Sequence, residues 1–79
     1  MKEKINTILA KCLDCDISKI SPEKCLFTEL YIDSLMLIDI VIAIGIAFGI
    51  ELTEKDIDKM STVNSIYLIV EDLISLNKG

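Results

Sequence analysis

The spacing of apolar positions changes from one stretch of this chain to the next. Ile5, Ile8, Leu9 and Cys12 stand at i, i+3, i+4 and i+7, one face of an amphipathic helix ending near Leu13. A long connection follows, from Asp14 to Asp33. Within it Ser21-Pro22-Glu23-Lys24 places a capping serine before a proline at the first helical position, enough for a single turn. Leu26, Phe27, Leu30 and Ile32 are apolar enough to fasten this loop to the core, so it is expected to be ordered. After Gly49, Thr53-Glu54-Lys55-Asp56 is close to a capping box and opens a short helix from which Ile57 and Met60 face inward. Thr62 is placed to cap a last helix, along which Val63, Ile66, Tyr67, Val70, Leu73 and Ile74 recur at helical spacing. Asn77-Lys78-Gly79 is expected to fray.

The stretch from Leu35 to Ile50 is ambiguous. Large apolar residues fill every even position from Ile38 to Ile50, with Asp39, Val41, Ala43, Gly45, Ala47 and Gly49 between them. Alternation rich in β-branched residues is a strand signal. Such a strand would far exceed the usual length of about 5–6 residues, and only Ile66 to Val70 could pair with it. The helical reading has a start at Asp33-Ser34 and a stop at Gly49, where a left-handed cap suits glycine. The pattern taken alone favours a strand; the resemblance set out below decides it, and we expect a helix. It is too short to span a membrane, which takes about 20 apolar residues, and Asp39 interrupts it. At most it would lie on a surface.

Composition then narrows the chemistry. With 79 residues there is room for one domain, residues 1–79, and its 52% hydrophobic but only 5% aromatic content describes an aliphatic core. There is no His, so the commonest base for a Ser or Cys nucleophile is missing. All eight basic residues are Lys, and the net charge of −5 speaks against nucleic acid. Residues 1–32 are neutral, and residues 33–79 carry the whole −5. An acidic half attracts partners with basic surfaces, although it also serves plain solubility. The start, Met-Lys-Glu-Lys-Ile-Asn, has no export signal, and three cysteines fit a reducing compartment, so a cytoplasmic location is expected. Cys12 and Cys15 have CxxC spacing, but no second pair or His could close a zinc site. They are read as buried and partly exposed thiols, with no metal site expected, rather than as a redox or metal centre.

Leu30-Tyr31-Ile32-Asp33-Ser34-Leu35, an apolar helix ending in Phe48, a short acidic helix, and Met60-Ser61-Thr62-Val63 together resemble the acyl carrier and peptidyl carrier protein superfamily. Asp-Ser-Leu alone would be better explained by a helix cap; the ordered context from about Ile20 to Val63 is what carries the resemblance. The resemblance implies an all-α, four-helix bundle with a short third helix and a long first loop. It also implies a non-catalytic carrier bearing covalent 4′-phosphopantetheine at Ser34, flanked by Asp33 and Leu35 and installed from coenzyme A by a phosphopantetheinyl transferase. The arm's thiol would hold acyl or aminoacyl groups as thioesters for fatty-acid, polyketide or related biosynthesis. A helix N-terminus suits a phosphodiester, and a serine modified by another enzyme needs no base of its own.

The chain also departs from the family pattern. Tyr31 stands where members commonly have glycine, and Met36, Gly45, Ile46 and Ala47 fall at positions that are often acidic. Partner recognition by the transferase and by acyl- or aminoacyl-processing enzymes is then expected from Met36, Asp39, Glu54, Asp56 and Ile57. That is an apolar second helix beside an acidic third one, pointing to a dedicated pathway rather than housekeeping fatty-acid synthesis. Leu35 is a further contact candidate. A monomer is expected, with Tyr31 or weak self-association as the alternative cover for that patch. The competing function is an unmodified helical adaptor that binds a partner through the same helix.

Overall fold

The computed structural model describes residues 1–78, and the side chains of residues 1–76. Its elements are α1 (Lys2–Leu13), a 3₁₀ turn (Ile17–Lys19), α2 (Ser34–Phe48), α3 (Glu54–Asp58) and α4 (Val63–Lys78). The architecture is the expected all-α one, with no strand among the described residues. The end expected to fray falls at the limit of description: the backbone of α4 runs through Lys78, and Gly79 lies outside it.

Helix α1 ends at Asp14, whose φ of 52° is left-handed, and Cys15 N–H reaches back to Ala10 O at 3.0 Å. An Asp tolerates this conformation better than most residues. The buried arc of α1 is Ile5, Leu9 and Ala10, with Leu13 packed alongside. That arc is rotated away from Cys12, which is exposed, contrary to its place on the apolar stripe. The rotation brings Asn6 against α4, where its Oδ1 accepts a hydrogen bond from the Tyr67 phenol.

The long loop is ordered, as expected, and its anchors can be named. Ile20, Leu26 and Ile32 are buried. Cys25 pairs with Thr62 in an antiparallel bridge: Leu26 N–H donates to Ser61 O at 2.9 Å, and Val63 N–H donates to Lys24 O at 3.1 Å. Asn64 N–H adds a third bond to Pro22 O at 2.9 Å. Ser21–Lys24 forms the single turn, closed by Lys24 N–H on Ser21 O at 3.1 Å. Two details differ from expectation. Asp16 caps a 3₁₀ turn through Ser18 N–H at 3.0 Å, a bond that holds its carboxyl below the usual range. Phe27 is 46% exposed rather than buried; its neighbour Leu26 takes the place in the core.

Helix α2 resolves the ambiguity between strand and helix. Leu37, Ile40, Val41 and Ile44 are buried, at i, i+3, i+4 and i+7. The remaining even-numbered isoleucines, Ile38, Ile42 and Ile46, are exposed. The run of alternating isoleucines is thus two interleaved helical sets, one for the core and one for the surface. Gly49 closes the helix at φ 64°, and Ile50 N–H donates to Gly45 O at 3.1 Å. Lys4 of α1 donates to the Ala47 carbonyl at 3.3 Å and stands 5.3 Å from the Phe48 ring centroid. A cation at this end of α2 complements its dipole.

Thr53 and Asp56 form the expected capping box of α3, with Thr53 N–H on Asp56 Oδ2 at 2.9 Å and Asp56 N–H on Thr53 Oγ1 at 3.4 Å. Thr62 caps α4, accepting Ser65 N–H at 3.2 Å, while Ser65 Oγ accepts Thr62 N–H at 3.1 Å. Val63, Ile66, Tyr67 and Val70 of α4 complete the core.

Candidate functional site: the N-terminus of helix α2

Burial of Ile32 decides where α2 begins. Its side chain is in the core and its N–H donates to Leu26 O at 2.9 Å, which ties the end of the long loop down. One residue on, Asp33 is extended (φ −96°, ψ 178°), and its Oδ1 accepts the Met36 amide at 2.8 Å. The Asp33 carbonyl takes the Leu37 amide at 2.9 Å. Ser34 is the first helical residue and is exposed. The first-turn amides of Ser34 and Leu35 have no acceptor among the described residues. An outward hydroxyl therefore sits beside free N–H groups at the positive end of a 15-residue helix.

Tyr31 marks the other side of the cap. Its φ is 56°, left-handed for a residue with a Cβ, and its ring is 80% exposed. The position at which the family commonly has glycine is therefore one where the backbone demands glycine-like geometry.

Beside Ser34 opens a cleft of about 590 Å³ between α2 and α3. Its walls include Phe27, Leu37, Ile38, Ile57 and Met60, and Glu54 and Asp58 contribute two carboxylates. Of the residues singled out in the sequence, Ser34, Ile57 and Glu54 come together here. Leu35 is 75% exposed on the adjoining face, and Asp39 is exposed one turn along α2. Met36 is half-buried and packed against the core, so the exposed apolar surface of α2 is Leu35, Ile38, Ile42 and Ile46. Asp56 is half-buried and holds the capping box. Phe27 and Ile38 were not singled out for the site; the signal for them was their bulk at positions flanking the motif.

The arrangement presents a hydroxyl and does not activate it. No His exists in the chain, and Asp33 spends its carboxylate on a backbone amide. Cys12 is exposed and Cys15 half-buried, both free thiols. Burial raises the Tyr67 phenol above its ordinary value, and the Thr28 side chain, then its amide, lowers the half-buried Cys25 thiol.

The fold thus presents an exposed serine at a helix start with an apolar cleft alongside. Residues 3–69 match the family described as phosphopantetheine attachment site. The chain is 34% identical over 68 residues to an acyl carrier protein of Thermotoga maritima, covering 86% of this chain and 84% of that protein. A solved Mycobacterium tuberculosis structure, described as an acyl carrier protein, superposes with a TM-score of 0.85 at 27% identity, covering 90% of this chain and 95% of that one. The chain belongs to the acyl carrier protein family, whose members carry covalently attached 4′-phosphopantetheine and are not enzymes. The residues fit that group: the free Ser34 and Leu35 amides would suit a phosphodiester's negative charge, and the cleft would offer apolar walls to the arm. Family members interact with modifying transferases and acyl-processing enzymes. Among the described residues no helix is long and apolar enough to cross a membrane.

Proposed function

We propose that residues 1–79 form one carrier domain whose 4′-phosphopantetheine is esterified to Ser34. The observation that carries this reading is the exposed Ser34 hydroxyl at the first position of α2, held there by the Asp33 cap. In this reading a transferase docks against Asp33, Leu35 and the outer face of α2. Ser34 Oγ attacks the phosphopantetheine phosphorus of coenzyme A, the pyrophosphate P–O bond breaks to release adenosine 3′,5′-bisphosphate, and the serine proton leaves to solvent or to the transferase. The arm's thiol then holds acyl or aminoacyl cargo as a thioester.

Asp39, Glu54 and Asp56 offer charge to docking enzymes, Leu35, Met36 and Ile57 offer apolar contact, and the scarcity of acids on α2 supports a dedicated pathway over general fatty-acid synthesis. The free thiols fit a reducing, cytoplasmic setting. The test is intact mass after incubation with a broad-specificity phosphopantetheinyl transferase and coenzyme A. One adduct on the native chain and none on Ser34→Ala is expected; an unmodified native chain would favour the adaptor reading, which the exposed isoleucines of α2 keep in play.

A further inference from the structure

Tyr31 has a backbone that the fold requires and a side chain that the fold does not use. Leu30 N–H donates to Cys25 O at 3.1 Å and Ile32 N–H to Leu26 O at 2.9 Å, so the chain is tied on both sides of Tyr31. Between those two bonds it turns, with Tyr31 at φ 56°. The turn delivers Ile32 to the core and lets α2 start at Ser34. A glycine would take this conformation without steric cost, whereas a residue with a Cβ is strained there.

Nothing within the described chain offsets that strain. The Tyr31 ring is 80% exposed, and it belongs neither to the core nor to the half-buried residues packed against it. It does not cover the apolar face of α2, since a ring that did so would itself lose its solvent. Nor is it among the walls of the cleft beside Ser34. Asp14, the other residue with a side chain in this region, differs: its left-handed conformation ends α1, and its N–H reaches Lys11 O at 3.3 Å. A strained residue with no use in its own chain points to a contact made in a complex.

Position names the partner. Tyr31 stands three residues before Ser34, so their Cα atoms are at most about 11 Å apart. An enzyme acting on Ser34 Oγ, with a footprint of standard size, covers about 800 Å² of the carrier, a disc about 16 Å in radius. Centred on Ser34, that disc takes in Tyr31 together with Leu35, the exposed neighbour on the helical side. We propose that the Tyr31 ring is a docking contact for the enzymes that act on Ser34, the phosphopantetheinyl transferase first, and that an apolar recess of the enzyme surface receives it. Tyrosines buried on binding are prominent among the residues that carry the energy of such interfaces. The inference rests on the assignment of the arm to Ser34.

Steady-state loading of the full chain by a broad-specificity phosphopantetheinyl transferase, at saturating coenzyme A, tests this on native, Tyr31→Phe, Tyr31→Ala and Tyr31→Gly. Phenylalanine should keep kcat/KM within about threefold of native. Alanine and glycine should each lose at least about tenfold, through KM for the carrier with kcat within about twofold, because the lost contact acts in docking. Alanine keeps the Cβ and its strain while glycine relieves it, so an equal loss in both assigns the effect to the ring. The glycine variant should be the worse substrate while unfolding no earlier than native. The native-to-alanine ratio should be the same at about 0.05 and 0.5 M salt, since an uncharged ring is not screened. Leu76→Ala, similarly exposed but about 20 Å along α4 from the Val63 end that is tied to the long loop, should load like native.

Loading of the alanine and glycine variants as efficiently as native would overturn the proposal. So would a loss confined to glycine, which would belong to the backbone, or an equal loss in phenylalanine, which would belong to the phenol oxygen. A fall in kcat with KM unchanged, or a ratio that collapses with salt, would overturn it too. In each of these failures the native chain still carries its adduct on Ser34; a native chain with none there would overturn the assignment itself, and the inference with it.

Discussion

Asp33 Oδ1 lies 2.8 Å from the Met36 amide nitrogen, and Ser34 occupies the turn those two residues close. The cap does two things at once: it satisfies a first-turn donor and it fixes the backbone that presents the hydroxyl. Asp33→Ala should lower unfolding stability by about 1 kcal/mol, whereas Asp33→Asn, which keeps an acceptor, should cost only a few tenths. Urea titration of the two variants measures the difference. Equal losses would show that the charge, rather than the cap, matters.

Tyr31 is held at φ 56° with its ring out in solvent. A side chain in this region costs roughly 1–2 kcal/mol, and glycine returns somewhat less through its freedom in the unfolded chain. Tyr31→Gly is expected to stabilise the fold by on the order of 0.5 kcal/mol, and Tyr31→Ala, which retains the Cβ, to bring no such gain. Thermal unfolding of the pair decides it, and a destabilised glycine variant would mean that the exposed ring makes contacts worth more than the strain.

Ile42 and Ile44 differ by two positions and by everything in environment: Ile42 is 55% exposed and Ile44 fully buried. Ile44→Ala should cost about 2–5 kcal/mol, and Ile42→Ala under about 0.5 kcal/mol. In an extended strand the two would share a face and respond alike. Denaturant midpoints therefore read the helical geometry directly.

Burial raises the Tyr67 phenol above its ordinary 10.0, against a smaller lowering by the bond to Asn6. The folded state thus favours the neutral phenol. Its contribution is complete below the unfolded value and is lost as pH rises through the higher folded one. Stability should hold from neutral pH to about 10 and then fall, with Tyr67→Phe falling less steeply. At neutral pH Tyr67→Phe should be the weaker fold by about 1 kcal/mol, since Asn6 loses its donor. Urea midpoints across alkaline pH would check both statements; parallel curves for the two chains would refute the first.

Much of this organisation could be read from residue order. Helices α1, α3 and α4 follow from 3.6-residue spacing and capping residues, and Asp33-Ser34 and Gly49 bracket α2 correctly. The interior of α2 was harder, because Ile38, Ile42 and Ile46 are as apolar as Ile40 and Ile44 yet face outward. When surface and core sets have the same hydropathy, periodicity no longer reports orientation. Cys12 was misplaced for a related reason: which arc of α1 packs is set by its neighbours, Tyr67 of α4 among them, a tertiary effect invisible in α1 alone. The cleft at Ser34 joins Phe27 and Met60, 33 residues apart in the chain, and no local pattern announces such a meeting.

The most direct test of the central claim is fragmentation mass spectrometry of the chain after loading by transferase and coenzyme A. The arm is expected on the peptide that contains Asp33-Ser34-Leu35, at the Ser34 oxygen. An adduct on Ser61, on Ser65 or on any of the three cysteines, with Ser34 unmodified, would contradict the account.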